Sequence, residues 1–78
     1  MKMIMNQSGT AVHMAKDIKV IDVARFEIEG KGEKYSIGVD NYSLGLYEKE
    51  DAAKNAFSEI IKFLSDKKQP IFRMPEDE

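Results

Sequence analysis

The hydrophobic residues of this chain change their spacing once, and that change limits the folds open to it. Up to Leu46 they recur at every second position, which is the spacing of a β-strand with one buried and one wet face. Beyond Asp51 they recur at every third or fourth position, as in an amphipathic helix. The sequence therefore predicts an α+β fold, a small antiparallel β-sheet of five or six short strands with one amphipathic helix near the C-terminus packed on one face.

Two hairpins are predicted in the β part. The first joins residues 3–5 to residues 10–14 through the turn-forming segment 6–9. The second turns at Asp40 and Asn41, because both residues tolerate a positive φ. Its apolar side chains alternate with polar ones and are predicted to face the core: Tyr35, Ile37, Val39, Tyr42, Leu44 and Leu46.

The longest β segment, residues 18–29, contains two apolar patterns that disagree. Three apolar residues alternate with charged ones and are predicted to be the buried set: Ala24, Phe26 and Ile28. Ile21 and Val23 fall on the opposite parity. Either a β-bulge shifts the register between the two sets, or both faces of this strand are covered.

A helix of about 15 residues is predicted after Glu50 and Asp51, whose charges oppose the positive end of the helix dipole. Its buried stripe is predicted as Ala53, Ala56, Phe57, Ile60, Ile61 and Leu64. Pro70 prevents continuation, and residues 71–74 are a candidate last strand. Residues 1–75 are thus predicted to form one domain, followed by a mobile acidic tail at 76–78.

Bulk composition excludes several classes of protein. The 78 residues include no cysteine and one histidine, so disulfides and thiolate metal sites are excluded. The N-terminus lacks the apolar run of a signal peptide, no stretch is long enough to span a membrane, and a soluble, cytoplasmic protein is expected. The net charge of −2, with basic and acidic residues interleaved, makes nucleic acid an unlikely partner.

No motif in the sequence predicts catalysis or ligand binding. His13 lies within a predicted strand with no nucleophile or carboxylate partner at a recognisable spacing. The segment Gly30-Lys31-Gly32 lacks the third glycine and following helix of a phosphate-binding loop. The chain is therefore predicted not to be an enzyme, with no catalytic, cofactor-binding or metal residues and no small-molecule substrate.

Five apolar residues do not fit a one-sided sheet covered by one helix. They form the candidate interaction surface: Ile21, Val23, Phe63, Ile71 and Phe72. An exposed patch of such residues would mark a surface for association. The alternative is that the C-terminal segment folds back and covers them within one chain.

Three short segments resemble a group of very small proteins of Firmicute-type bacteria and their phages or mobile elements. The segments are Met3-Ile4-Met5-Asn6-Gln7-Ser8-Gly9-Thr10, Leu44-Gly45-Leu46-Tyr47 before a helix with Ala53, and Ile71-Phe72-Arg73-Met74-Pro75-Glu76. The link between helix and last strand is shorter here than in that group. The resemblance implies this fold and a mobile-element context, and it transfers no activity because the group has none assigned.

The leading hypothesis is therefore a non-enzymatic protein-interaction module that forms a homodimer. It depends on the small size, the lack of catalytic residues and the surplus apolar side chains. The alternative is a small regulator that contacts nucleic acid through a local basic patch of Lys2, Lys16, Lys19 and Lys31.

Overall fold

The computed structural model describes residues 2–66 and 68–77. Within them the chain forms six strands and one α-helix, which confirms the predicted α+β class. The elements are β1 (Met3–Met5), β2 (Val12–Met14), β3 (Ile21–Ile28), β4 (Gly32–Val39), β5 (Tyr42–Tyr47), α1 (Glu50–Ser65) and β6 (Ile71–Arg73), with a 3-10 turn at Ala15–Asp17. Both predicted hairpins are present, β1 with β2 and β4 with β5.

The strands form two sheets of three, and the prediction of one sheet is wrong. β3, β4 and β5 are antiparallel neighbours in that order, whereas β1 lies between β2 and β6. The Asp40 carboxylate accepts hydrogen bonds from the backbone N–H groups of Lys19 and Val20 at 2.9–3.2 Å. These bonds hold the residues just before β3 against the turn that follows β4.

The candidate last strand is formed, and it makes the short sheet mixed. β6 runs parallel to β1, with Ile4 opposite Phe72. The Met3 N–H donates to the Pro70 carbonyl and the Met74 N–H to the Met5 carbonyl, at 2.9 and 3.0 Å. Two parallel neighbours need a long connection between them. Here that connection contains β2, the long sheet and α1.

Helix α1 packs on the long sheet, and the face that it buries differs from the predicted stripe. Ala53, Ala56 and Ile60 are buried as predicted, but Ile61 and Leu64 are 46% and 36% exposed. The remaining buried residue of the helix is Phe63, whose ring centroid lies 5.5 Å from that of Phe72 on β6. Near its C-terminus the helix therefore buries Phe63, which contacts β6 of the short sheet, and leaves Ile61 and Leu64 exposed.

On β3 the buried parity is opposite to the prediction. Ile21 and Val23 pack against the core, whereas Ala24 is exposed and Phe26 is 40% exposed. Val23 lies opposite the buried Ile37 in the ladder, so this parity is the one that faces α1. The strand has no break in register with β4, so the choice between the two sets is made by the helix and not by a bulge.

A β-bulge on β5 changes which residues of that strand are buried. Gly38 lies opposite Ser43 and Ile37 opposite Gly45, so Leu44 is an extra residue. Leu44 and Tyr47 are each 1% exposed, while Leu46 is 40% exposed, contrary to the unbroken alternation that was predicted. Tyr42 is also exposed, at 67%, and its ring lies 5.8 Å from the ring of His13. The bulge shifts the phase of the strand by one residue.

Candidate interaction surface

The five residues of the predicted interaction surface lie in two places. Ile21 and Val23 lie under α1 and are half-buried. Phe63 is 3% exposed and Phe72 packs against the core, so the alternative of covering within one chain describes this pair. Phe63 is therefore not part of an exposed patch. Ile71 is 46% exposed, and its part in any interaction stays a prediction.

The free edge of β5 is covered by the chain itself. The Gln7 N–H donates to the Leu44 carbonyl, and the Gln7 side-chain amide both accepts from the Leu46 N–H at 2.9 Å and donates to the Leu46 carbonyl at 3.2 Å. A side chain thus replaces a missing strand. A Cβ at Gly45 would lie 3.2 Å from the Tyr47 side chain and 3.3 Å from the Gln7 Cβ, so a larger residue there would require both neighbours to shift.

The segment after β6 continues the cover of the β5 edge. The Tyr47 hydroxyl donates to the Pro75 carbonyl at 2.7 Å, and the Glu48 N–H donates to the Asp77 carboxylate at 3.1 Å. Burial, with the Asp77 charge, raises the pKa of Tyr47 to about 12. The acidic segment is therefore attached to the sheet as far as Asp77, and Glu78 lies outside the described residues.

The free edge of β3 has no such cover within the described residues. Val20 lies at the start of the ladder, and its carbonyl accepts from the Asp40 N–H on the β4 side at 3.2 Å. Since alternate residues of an antiparallel ladder bond to the same neighbour, the even-numbered residues of β3 bond to β4. The odd-numbered residues Val23, Arg25 and Glu27 then direct their N–H and C=O groups outward. No hydrogen bond to those groups is made in residues 2–66 and 68–77.

Charged side chains lie along this open edge. Arg25 and Glu33 form an exposed ion pair at 3.8 Å. Glu27 is directly opposite Glu33 in the ladder and forms no ion pair within the part of the chain described. Two carboxylates directly opposite each other repel. Among the described residues, no cation offsets this repulsion at Glu27. The Tyr35 hydroxyl donates to Glu33 at 3.2 Å, and desolvation and this bond raise the pKa of Tyr35.

The face of the long sheet that points away from α1 is partly apolar and uncovered. Phe26 and Leu46 are each 40% exposed on this face, on either side of β4. Between them lies Lys34, whose Nζ is 2.8 Å from a carboxylate oxygen of Glu48. The hydrogen bond and charge of Lys34 lower the pKa of Glu48. This outer face continues from the open edge of β3 across the sheet.

Groups capable of chemistry are scattered. His13 contacts Tyr42 but makes no side-chain hydrogen bond within the described residues, and no cluster of three metal-binding side chains is found there. A surface depression of about 430 Å³ is lined by Lys19, Asp22 and Asp40 among others. The Asp40 carboxylate in it already accepts backbone hydrogen bonds. Residues 2–66 and 68–77 therefore bring together no set of groups typical of a catalytic site.

The four lysines of the alternative hypothesis do not form one patch. The Lys2 ammonium donates to the carbonyls of Phe63 and Asp66 at the C-terminus of α1 and lies 4.4 Å from the Phe63 ring centroid. Lys31 is in the turn after β3, which is about 24 Å from the start of that eight-residue strand. Lys16 and Lys19 lie before β3. Lys2 stabilises the negative end of the helix, a role the sequence analysis missed.

The open edge was also missed, although its residues are visible in the sequence. Arg25 and Glu27 were interpreted only as the solvent-facing half of an alternating strand. Their importance depends on β3 being the outer strand of its sheet, which no local pattern indicates.

Comparisons with known proteins add no family to this description. No protein-family model matches the chain, and neither the curated proteins nor the solved structures provide a match. Among the described residues, none of the helices has the length and apolar character needed to cross a bilayer.

Proposed function

We propose that this protein is a non-enzymatic protein-interaction module that binds an extended segment along the open edge of β3. The observation that carries the proposal is the difference between the two edges of the long sheet. Backbone groups at the β5 edge are bonded by Gln7 and Asp77, whereas Val23, Arg25 and Glu27 direct theirs to solvent. An added strand would pair with those groups, as in other complexes formed by β-augmentation.

The surroundings of the edge support the same function. Phe26 lies at the edge on the outer face and is 40% exposed, so an added strand would bury part of its ring. Arg25 and Glu27 offer one cation and one anion on the other face for selecting a partner. The mobile-element context rests on the sequence resemblance and belongs to this proposal as a prediction.

The experiment is a selection from a displayed library of ten-residue extended peptides. Peptides selected on the full chain are expected to protect the amides of Val23, Arg25 and Glu27 from hydrogen exchange. Glu27→Pro removes one outward N–H and is expected to weaken their binding at least about tenfold. The control is Glu29→Pro, which removes the same charge in the turn beyond the strand and is expected to change binding less than about twofold.

Two results would contradict the proposal. One is a library that yields no binder to the folded chain. The other is a set of binders whose affinity is the same for the wild type and for Glu27→Pro, because such peptides would bind elsewhere.

A further inference from the structure

The open edge of β3 can pair with itself in only a few ways. When two copies of β3 pair antiparallel, a two-fold axis relates them, so one residue lies opposite the same residue of the second copy. Residues at equal distances on either side of that residue lie opposite each other. The register of a β3–β3 pair is therefore defined by its central residue.

Charge excludes most of these registers. A pair centred on Asp22, Arg25 or Glu27 places two like charges directly opposite at the axis. A pair centred on Val23 places Glu27 opposite Lys19, which lies before the strand, but it leaves Arg25 opposite the apolar Ile21. A pair centred on Ala24 places Arg25 opposite Val23 and Glu27 opposite Ile21. None of these registers satisfies both charged residues of the strand.

The register centred on Phe26 satisfies both. It places Arg25 opposite Glu27 of the second copy, and Glu27 opposite Arg25 of the second copy. Both belong to the odd-numbered set that directs its backbone groups outward, so each such pair also exchanges N–H and C=O bonds. Each Glu27, which faces only Glu33 within its own chain, gains a cation.

The same register brings the apolar outer faces together. The Phe26 rings of the two copies, each 40% exposed in the single chain, meet at the axis. Ala24 lies opposite Ile28 of the second copy on the same face. The three strands of the long sheet from each copy then form one continuous sheet of six, with apolar side chains at its centre.

We infer that the partner of the β3 edge is a second copy of this chain, paired antiparallel about an axis at Phe26. This inference rests on the proposed function, because it requires the same open edge. It adds the identity of the added strand and the residues that fix its register.

The first test reverses the charges of the full chain. Arg25→Glu alone and Glu27→Arg alone each create two like-charged pairs across the axis and are expected to weaken the dimer at least about tenfold. The double variant restores opposite charges in each pair and is expected to return the dissociation constant to within about threefold of the wild type. Light scattering over a concentration series measures all four proteins, and circular dichroism checks that each is folded.

The second test uses the lack of native cysteine and does not depend on charge. At the axis the two Cα atoms of residue 26 lie about 4.5 Å apart, so Phe26→Cys is expected to form a disulfide-linked dimer under mild oxidation. The control is Ala24→Cys on the same face, whose two copies lie about 14 Å apart in this register and are expected not to cross-link.

Each outcome separates the inference from the proposed function. Cross-linking through residue 26 and rescue by the double charge reversal support the inference. Cross-linking through residue 24, or a double variant as weak as the single ones, overturns this register. A chain that stays monomeric and cross-links at neither position overturns self-pairing. Library peptides sensitive to Glu27→Pro would then preserve the proposed function, and their absence would remove both.

Discussion

The two edges of the long sheet differ in whether their backbone groups are hydrogen-bonded by other parts of the chain. At the β5 edge, the side chains of Gln7 and Asp77 accept hydrogen bonds from the backbone N–H groups of Leu46 and Glu48. The Pro75 carbonyl accepts from the Tyr47 hydroxyl and from the Gln7 amide, which is 68 residues away in sequence. At the β3 edge, the described residues provide only side chains of the strand itself. Gln7 and the segment from Pro75 to Asp77 both lie beside β5, because they follow β1 and β6, which are neighbours in the short sheet. The β3 edge is therefore left to solvent or to a partner.

This difference shows how a small protein limits unwanted association without closing both edges. An uncovered edge is a template for pairing with other chains, and charged side chains on it make such pairing selective. On β3 the charged side chains are Asp22, Arg25 and Glu27, whereas backbone groups of the β5 edge are already bonded by Gln7. In the proposed function, the covered edge contributes to stability and the open edge to recognition.

The largest expected effect separates the two sides of β3. Ala24→Pro removes an N–H that bonds to β4 and is expected to lower the free energy of unfolding by about 3 kcal/mol or more. Glu27→Pro removes an outward N–H and is expected to cost less than about 1 kcal/mol. Urea unfolding of both variants checks this, and equal losses would show that the open edge has been assigned to the wrong residues.

The second prediction concerns Tyr47, which anchors the cover of β5. Its pKa is about 12 when folded and 10 when unfolded, so between those pH values the unfolded chain loses the phenolic proton first. The free energy of unfolding is therefore expected to fall as pH rises from 10 to 12, by about 2–3 kcal/mol from this group. Urea titrations should show that Tyr47→Phe lacks this part of the fall.

The matched control for that change is Tyr42→Phe, since Tyr42 is 67% exposed. That variant is expected to keep the alkaline loss of the wild type. If both variants lose stability equally between pH 10 and 12, the buried hydroxyl of Tyr47 is not its source.

A smaller effect is expected where Gln7 replaces a strand. Gln7→Leu keeps the size of the side chain but removes both amide bonds to Leu46, and it is expected to cost about 1–2 kcal/mol. It also exposes the β5 edge, so faster concentration-dependent aggregation is expected. The control Gln69→Leu removes one local hydrogen bond and is expected to cost under about 0.5 kcal/mol, with no change in aggregation.

The smallest effect is expected at Glu48, at the exposed end of β5. Lys34 lowers the pKa of Glu48, so the stability that this pair adds is present near neutral pH and is lost as pH falls through that lowered pKa. Glu48→Gln is expected to be slightly less stable than the wild type at pH 7 and equal to it at about pH 2. Thermal melts at both values provide the measurement, and a constant difference would assign the effect to something other than this charge.

Local pattern predicted the elements of this fold but not their faces. Acids in the first turn and the spacing from Ala53 onward predicted a helix that the structure has at Glu50–Ser65. The alternation on β3 predicted the wrong buried face. Ala24 and Phe26 lie on one face and Ile21 and Val23 on the other, and both sets fit the spacing of a strand. Periodicity shows that a strand has two different faces, and packing decides which one the helix covers.

The open edge of β3 likewise depends on packing and not on local periodicity. The sequence alone determined the strand and its charges at residues 25 and 27. The order of strands in the sheet, the bulge at Leu44 and the cover on β5 were decided by tertiary structure. Each of these depends on which distant segments pack together, and the free energy of that packing is not encoded in the spacing of neighbouring residues.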